Sequence, residues 1–135
     1  MDPRELILSA IAAREHSYCP YSGFAVGAAL LGESGKIYGG CNIESCSYSP
    51  TNCAERTALY KAVSEGERRF LALAVVGGKQ RGALQETAPC GVCRQMLYEF
   101  CPPGMPVFLA VSETDYTKTT LGELLPRGFA PDMLD

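Results

Sequence analysis

Apolar residues Leu6, Ile7, Ala10 and Ile11 recur on a helical period that runs on to Arg14, behind the start signal of Asp2, Pro3 and Glu5. The segment "HSYCPYSG" breaks this first helix. The runs "FAVGAALL" and "KIYGGCN" then flank the tight "GESG" and predict a β-hairpin. After the loop-like "NIESCSYSPT", helical spacing returns in "NCAERTALYKAVSEG", with Thr51 or Asn52 as cap and Gly66 as stop. "FLALAVVGG" is a buried-strand run and "KQRGALQETA" a polar loop. "CGVCRQMLYEF" predicts a third helix that "CPPG" halts, and "PVFLAVS" another strand. Thr120 with Glu123 can form a capping box for a short last helix through Leu125.

The resulting order, α, β, β, α, β, α, β and a short α, suits a mixed sheet covered by helices. One strand joins the second and third helices, so right-handed crossovers on one sheet face lay them parallel and side by side. Their N-termini, carrying Cys53 and Cys90, can then meet. The 135 residues contain no repeat, low-complexity tract or linker, and their 47% hydrophobic and 20% charged content predicts one domain over 1–135.

A net charge of -3 provides no basic surplus to neutralise a phosphate backbone, which disfavours a nucleic acid polymer and favours a small substrate. Arg4, Glu5, Arg14 and Glu15 interrupt the apolar N-terminal residues, unlike a secretory signal, and no run approaches the roughly 20 apolar residues of a membrane span. A cytoplasmic location is expected. Seven cysteines is an odd count, and in a reducing compartment close-set thiols point to metal or catalysis rather than disulfides.

Cys90 and Cys93 span one helical turn and can close on one zinc ion, and a third thiol from Cys53 leaves one tetrahedral position open for water. Zinc lowers the pKa of such water toward about 7, which makes hydroxide available at neutral pH. Helix N-termini favour the thiolate form. Three thiolates over-neutralise the ion, so a nearby cation is expected, and Arg56 and Arg94 are the candidates to hydrogen-bond the sulfurs. Glu55 lies about 200° around the helix from Cys53, so both reach one point only if the metal sits off the helix end. A carboxylate there would shuttle protons rather than bind metal. A lone C-x-x-C also fits a structural zinc or a redox pair, and a four-thiol structural site using Cys41 or Cys46 would leave Glu55 without a role. The remaining cysteines, Cys19, Cys41, Cys46 and Cys101, read as small buried hydrophobes, and His16 as a residue favoured by a helix C-terminus.

C-x-E followed by P-C-x-x-C is the cysteine form of the zinc deaminase signature. With "CPYSGFAVGAALL", "GCNIES", "TNCAERTALYKAVSEG", "PCGVCRQ" and "ELLPRGF", the chain resembles the small homotetrameric cytidine deaminases over nearly its whole length. That resemblance implies a three-layer α/β/α fold with a mixed, about five-stranded central sheet. It implies one zinc per chain on Cys53, Cys90 and Cys93, with Glu55 as proton shuttle in the hydrolytic conversion of cytidine and 2′-deoxycytidine to uridine and 2′-deoxyuridine. By the same resemblance Asn42 and Glu44 bind the ribose hydroxyls, Phe24 packs against the pyrimidine and the Ala54 backbone fixes the base. Phe129 closes a neighbouring subunit's site, and Tyr48 touches an adjacent pocket, in a tetramer with shared active sites. A related antibiotic deaminase usually lacks the full "CNIE" loop. Ser45, Cys46 and Val92 stand where family members commonly carry Asn, Ala and Ala, which affects loop packing and no expected ligand.

Overall fold

The predicted hairpin forms from strands β1 (Phe24–Gly32) and β2 (Ile37–Cys41), paired antiparallel from Gly27 opposite Cys41 to Leu31 opposite Ile37. On its other side β1 pairs antiparallel with β3 (Phe70–Lys79). β4 (Pro106–Ala110) runs parallel to β3, and β5 (Tyr116–Thr120) pairs antiparallel with β4, giving the mixed order β2-β1-β3-β4-β5. The computed structural model describes residues 2–134.

Side chains alternate across a strand, so a strand covered on both faces must be apolar throughout, as "FLALAVVGG" is. Ala72, Ala74 and Val76 pack with Leu6, Ile7 and Ala10 of helix α1 (Arg4–Arg14). Leu73 and Val75 face the opposite way, toward Ala58, Leu59 and Ala62 of α2 (Ala54–Ser64) and Leu97 of α3 (Gly91–Tyr98). Helices therefore cover both faces in the expected three-layer α/β/α arrangement.

Helix boundaries follow local chemistry. The Arg4 N–H donates to Asp2 Oδ1 at 3.0 Å where α1 begins. At the end of α2, Gly66 adopts φ +102°, and the N–H groups of Gly66 and Glu67 close on the carbonyls of Val63 and Ala62, both at 3.0 Å. Only glycine takes that left-handed position without strain, which is why the helix stops there. Thr120 Oγ1 accepts from the Glu123 N–H at 3.2 Å and caps the short α4 (Leu121–Leu124) as expected. Arg14 extends the stripe of α1 with a clamp: its guanidinium donates to the carbonyls of Ala25, Gly78 and Lys79 at 2.8, 3.0 and 3.1 Å. It thereby pins the end of α1 across the ends of β1 and β3.

The hydrophobic pattern misses one strand. β5, "YTKTT", lacks an apolar face because it is the sheet's outer strand, where its first three residues are exposed and Lys118 blunts the open edge.

Close approach of α2 to the hairpin depends on Gly40. A Cβ at that position would lie 2.5 Å from both the Ala54 carbonyl oxygen and the Ala58 nitrogen, backbone atoms that move only if the whole helix does. Gly40→Ala is expected to destabilise the protein by about 1–3 kcal/mol, as overpacking does. A chemical denaturation curve measures it, and an unchanged midpoint would show that α2 has room to shift.

Candidate active site

The crossover from β3 through α3 to the parallel β4 lays α3 beside α2 and brings their N-termini together. Cys53 and Cys90 are the N-cap residues, with φ/ψ of −77°/157° and −66°/164°. This extended backbone places their side chains off the helix ends. Neither Thr51 nor Asn52 caps α2, contrary to expectation. Asn52 is tied by paired backbone hydrogen bonds to Ile43, both 2.9 Å, and Thr51 Oγ1 accepts from the Ser45 N–H at 3.0 Å. The helix thus starts one residue later, with the cysteine at its mouth.

Cys93 lies on the first turn of α3, and the sulfurs of Cys53, Cys90 and Cys93 all fall within 4.8 Å of one another. Zinc–sulfur bonds of about 2.3 Å in a tetrahedron require sulfurs about 3.8 Å apart. The Cys53–Cys90 separation is 3.6 Å, so the three donors fit one zinc ion after sub-ångström to ångström adjustment. Among the described residues no fourth Cys, His, Asp or Glu joins this set, which leaves a coordination position open. Cys41 and Cys46 stand outside it. Cys46 is exposed and Cys41 half-buried, which corrects the expectation that both are buried, whereas Cys19 and Cys101 are buried.

Arg56, one helical turn after Cys53, donates from Nε to Cys93 Sγ and from a terminal nitrogen to Cys53 Sγ, both at 3.4 Å. The Cys53 thiol is drawn down to about 5, by hydrogen bonding from Cys93 first and from Arg56 and Cys90 after it, against the opposing effect of burial. Cys93 moves the other way, because it retains the proton it shares with Cys53 and is buried. Arg94 does not share in this. It directly follows Cys93, so its side chain points about 100° around the helix from that sulfur and instead donates to the carbonyls of Pro89 and Leu124, both at 2.6 Å. It braces the residue before Cys90 and touches no thiol.

Glu55 occupies the second position of α2 and is only 3% exposed. Its Oε1 has no hydrogen-bond partner among the described residues. Burial disfavours the carboxylate and pushes the group up to about 7, so near neutrality it can both accept and release a proton. It lines a pocket of about 320 Å³ together with Cys53, Cys90, Ala54, Phe24, Asn42 and Glu44. That volume suits a small molecule.

Asn42 and Glu44 are each fixed by several hydrogen bonds. Asn42 Oδ1 accepts from the Val26 N–H at 2.9 Å and from the Ser17 hydroxyl, while Nδ2 donates to the Phe24 carbonyl at 2.8 Å. A backbone N–H can only donate and a carbonyl only accept, so the amide has one orientation and one N–H left over. Glu44 Oε1 accepts from the N–H groups of Tyr21 and Ser22 at 3.0 and 3.1 Å, and Oε2 from the Ser22 hydroxyl. One acceptor site remains on Oε2. Between them the two residues offer one donor and one acceptor, the complement of a hydroxyl.

Tyr48 and Phe129 lie outside this pocket, 73% and 52% exposed. Tyr48 stands edge-on to Tyr21 beside an adjoining hollow, and the Phe129 carbonyl accepts from Gln95 of α3 at 2.8 Å. His16 is exposed just beyond the end of α1. Ser17, Ser22 and Thr87 belong to the site or its support and were not singled out from the sequence. "YSGF" carried a signal for Ser22, and Thr87 sits just ahead of the Pro-Cys pair.

Residues 2–109 match the family described as "Cytidine and deoxycytidylate deaminase zinc-binding region". A cytidine deaminase of Sporosarcina psychrophila is 52% identical over 99% of this chain and 96% of its own length. Another, from Halalkalibacterium halodurans, is 51% identical with full coverage of both. Among solved structures, a cytidine deaminase of Burkholderia pseudomallei superposes with a TM-score of 0.85 at 47% identity, over 96% of this chain and 100% of that one.

Arg56→Gln removes the charge that offsets three thiolates and should weaken zinc about 10–100-fold, read by competition with a chromogenic chelator. Cys46→Ser should leave zinc affinity unchanged, and loss of metal from it would restore the four-thiol alternative.

Proposed function

Because the chain belongs to the cytidine and deoxycytidylate deaminase family, we propose that it hydrolyses cytidine and 2′-deoxycytidine to uridine and 2′-deoxyuridine with release of ammonia. The observation that carries this reading is the buried, unpartnered carboxylate of Glu55 beside a three-thiol set in a nucleoside-sized pocket.

Cys53, Cys90 and Cys93 would hold the zinc, which would supply the Lewis acidity that makes water nucleophilic at neutral pH. Glu55 takes the proton that water loses on attacking C4 and delivers it to N3 of the cytosine. The proton of the hydroxyl now on C4 then passes through Glu55 to the amino group, the C4–N bond breaks, and ammonia leaves as the C4 carbonyl forms. Phe24 packs on the pyrimidine, the Ala54 backbone holds the base, and the free N–H of Asn42 with the free lone pair of Glu44 holds a ribose hydroxyl. Arg56 keeps the sulfur cluster from carrying a large uncompensated charge.

The whole chain acts as one catalytic domain in a homotetramer, in the cytoplasm. The exposure of Phe129 outside its own chain's pocket supports its closing a neighbour's site, and Tyr48 is free to do likewise. No helix among the described residues is long and apolar enough to cross a membrane, and the acidic balance suits a free nucleoside over a polymer.

Loss of cytidine absorbance in the ultraviolet, with zinc measured on the same sample, tests the reaction; full zinc without conversion would overturn it. Glu55→Gln should retain zinc and lose about 10²–10⁴ in kcat, and near-normal turnover would remove the proton shuttle. Light scattering should give four chains per particle. Phe129→Ala should lower kcat/KM, and a fully active monomer would exclude a shared site.

A further inference from the structure

The hydroxyl of Ser22 has its direction set from both sides. Its oxygen accepts from the Phe24 N–H at 3.0 Å, and since that N–H can only donate, the hydroxyl's own proton is left for Glu44 Oε2. The N–H of the same residue also donates to Glu44 Oε1 at 3.1 Å, beside that of Tyr21 at 3.0 Å. Three donors from two consecutive residues therefore grip one carboxylate, and they hold Glu44 below the usual carboxylate range, the Ser22 hydroxyl most of all. Two of the three are backbone groups that hold Oε1. Among the described residues only the Ser22 side chain holds Oε2, the oxygen with a lone pair left for a ligand. Ser22 itself lines the pocket that Phe24, Asn42, Glu44 and Glu55 share.

We propose that Ser22 is a positioning residue for sugar recognition: its hydroxyl fixes the rotation of the Glu44 carboxylate so that Oε2 accepts from a ribose hydroxyl. The proposal rests on the nucleoside deaminase reading and extends it to a residue that bears on the sugar and not on the base. Without the Ser22 hydroxyl, Glu44 keeps its two backbone donors on Oε1, but the carboxylate can swing about that anchor and carry Oε2 out of line. The loss then falls on substrates that offer Oε2 a 2′- or 3′-hydroxyl. A nucleoside without 2′- and 3′-hydroxyls makes no use of Oε2 and is indifferent to the change.

The test pairs variants with sugars. Wild type, Ser22→Ala and Ser22→Thr are compared on cytidine and 2′,3′-dideoxycytidine, with inhibition constants of uridine and 2′,3′-dideoxyuridine measured alongside in case the dideoxy substrate turns over slowly. Ser22→Ala should lose about tenfold in kcat/KM on cytidine, chiefly through KM, the size expected when a hydrogen bond to a charged group is lost. It should bind uridine correspondingly more weakly, change little toward the two dideoxy compounds, and keep its zinc. Ser22→Thr, which restores the hydroxyl, should recover the cytidine value. Equal losses on both sugars, or failure of Ser22→Thr to rescue, would overturn the proposal and make Ser22 a prop for the loop or for Phe24. A wild-type protein inactive on cytidine would instead count against the nucleoside deaminase reading.

Discussion

Everything in the site depends on two helices ending at one place. A right-handed crossover forces α2 and α3 into parallel register over a single sheet face, so their partial positive ends converge. Such a convergence would repel if left empty, and thiols that ionise readily are what it attracts. Cys53 and Cys90 occupy the two cap positions, and Cys93 follows one turn later. The helix ends together with Arg56 offset the negative charge that a closely packed sulfur cluster develops.

The same constraint explains the unusual state of Glu55. A residue on the first turn of α2, two positions after the cap, is carried into the interior with the helix end and is almost wholly shielded from solvent. Leaving a carboxylate oxygen there without a partner costs stability. It shares its pocket with Cys53 and Cys90, and chemistry that needs a proton moved is what such a group can do. Strain of this kind is local: Gly40 below α2 and the glycine stop at Gly66 let the rest of the helix seat without distortion.

Most of the architecture was legible because burial writes itself into periodicity. The two-sided apolar run of β3, the hairpin and the three main helices are all of that kind. β5 escaped because an outer strand has little to bury, and "YTKTT" therefore looks like loop. The gathering of Cys53, Cys90 and Cys93 beside Glu55 was legible from residue type and spacing, since few other arrangements bring those groups together. Arg94 was misread for a geometrical reason, one position of helical rotation, whereas Arg56 at three positions from Cys53 lands on the right face. The supports, Ser17 and Ser22, left little trace: a serine in a loop resembles every other loop serine until its partners fold up beside it.

Asn42 serves two masters. Its amide bridges the Val26 N–H and the Phe24 carbonyl, so it is a rivet at the start of β1, and it keeps one N–H spare while lining the pocket. A replacement chosen to admit a different sugar would have to supply a donor and an acceptor to that strand at the same spacing, or let the strand's start come loose. On the proposed reading, a change of sugar preference therefore has a narrow road through this position and a wider one around it, along the Tyr21–Ser22 loop that aims Glu44.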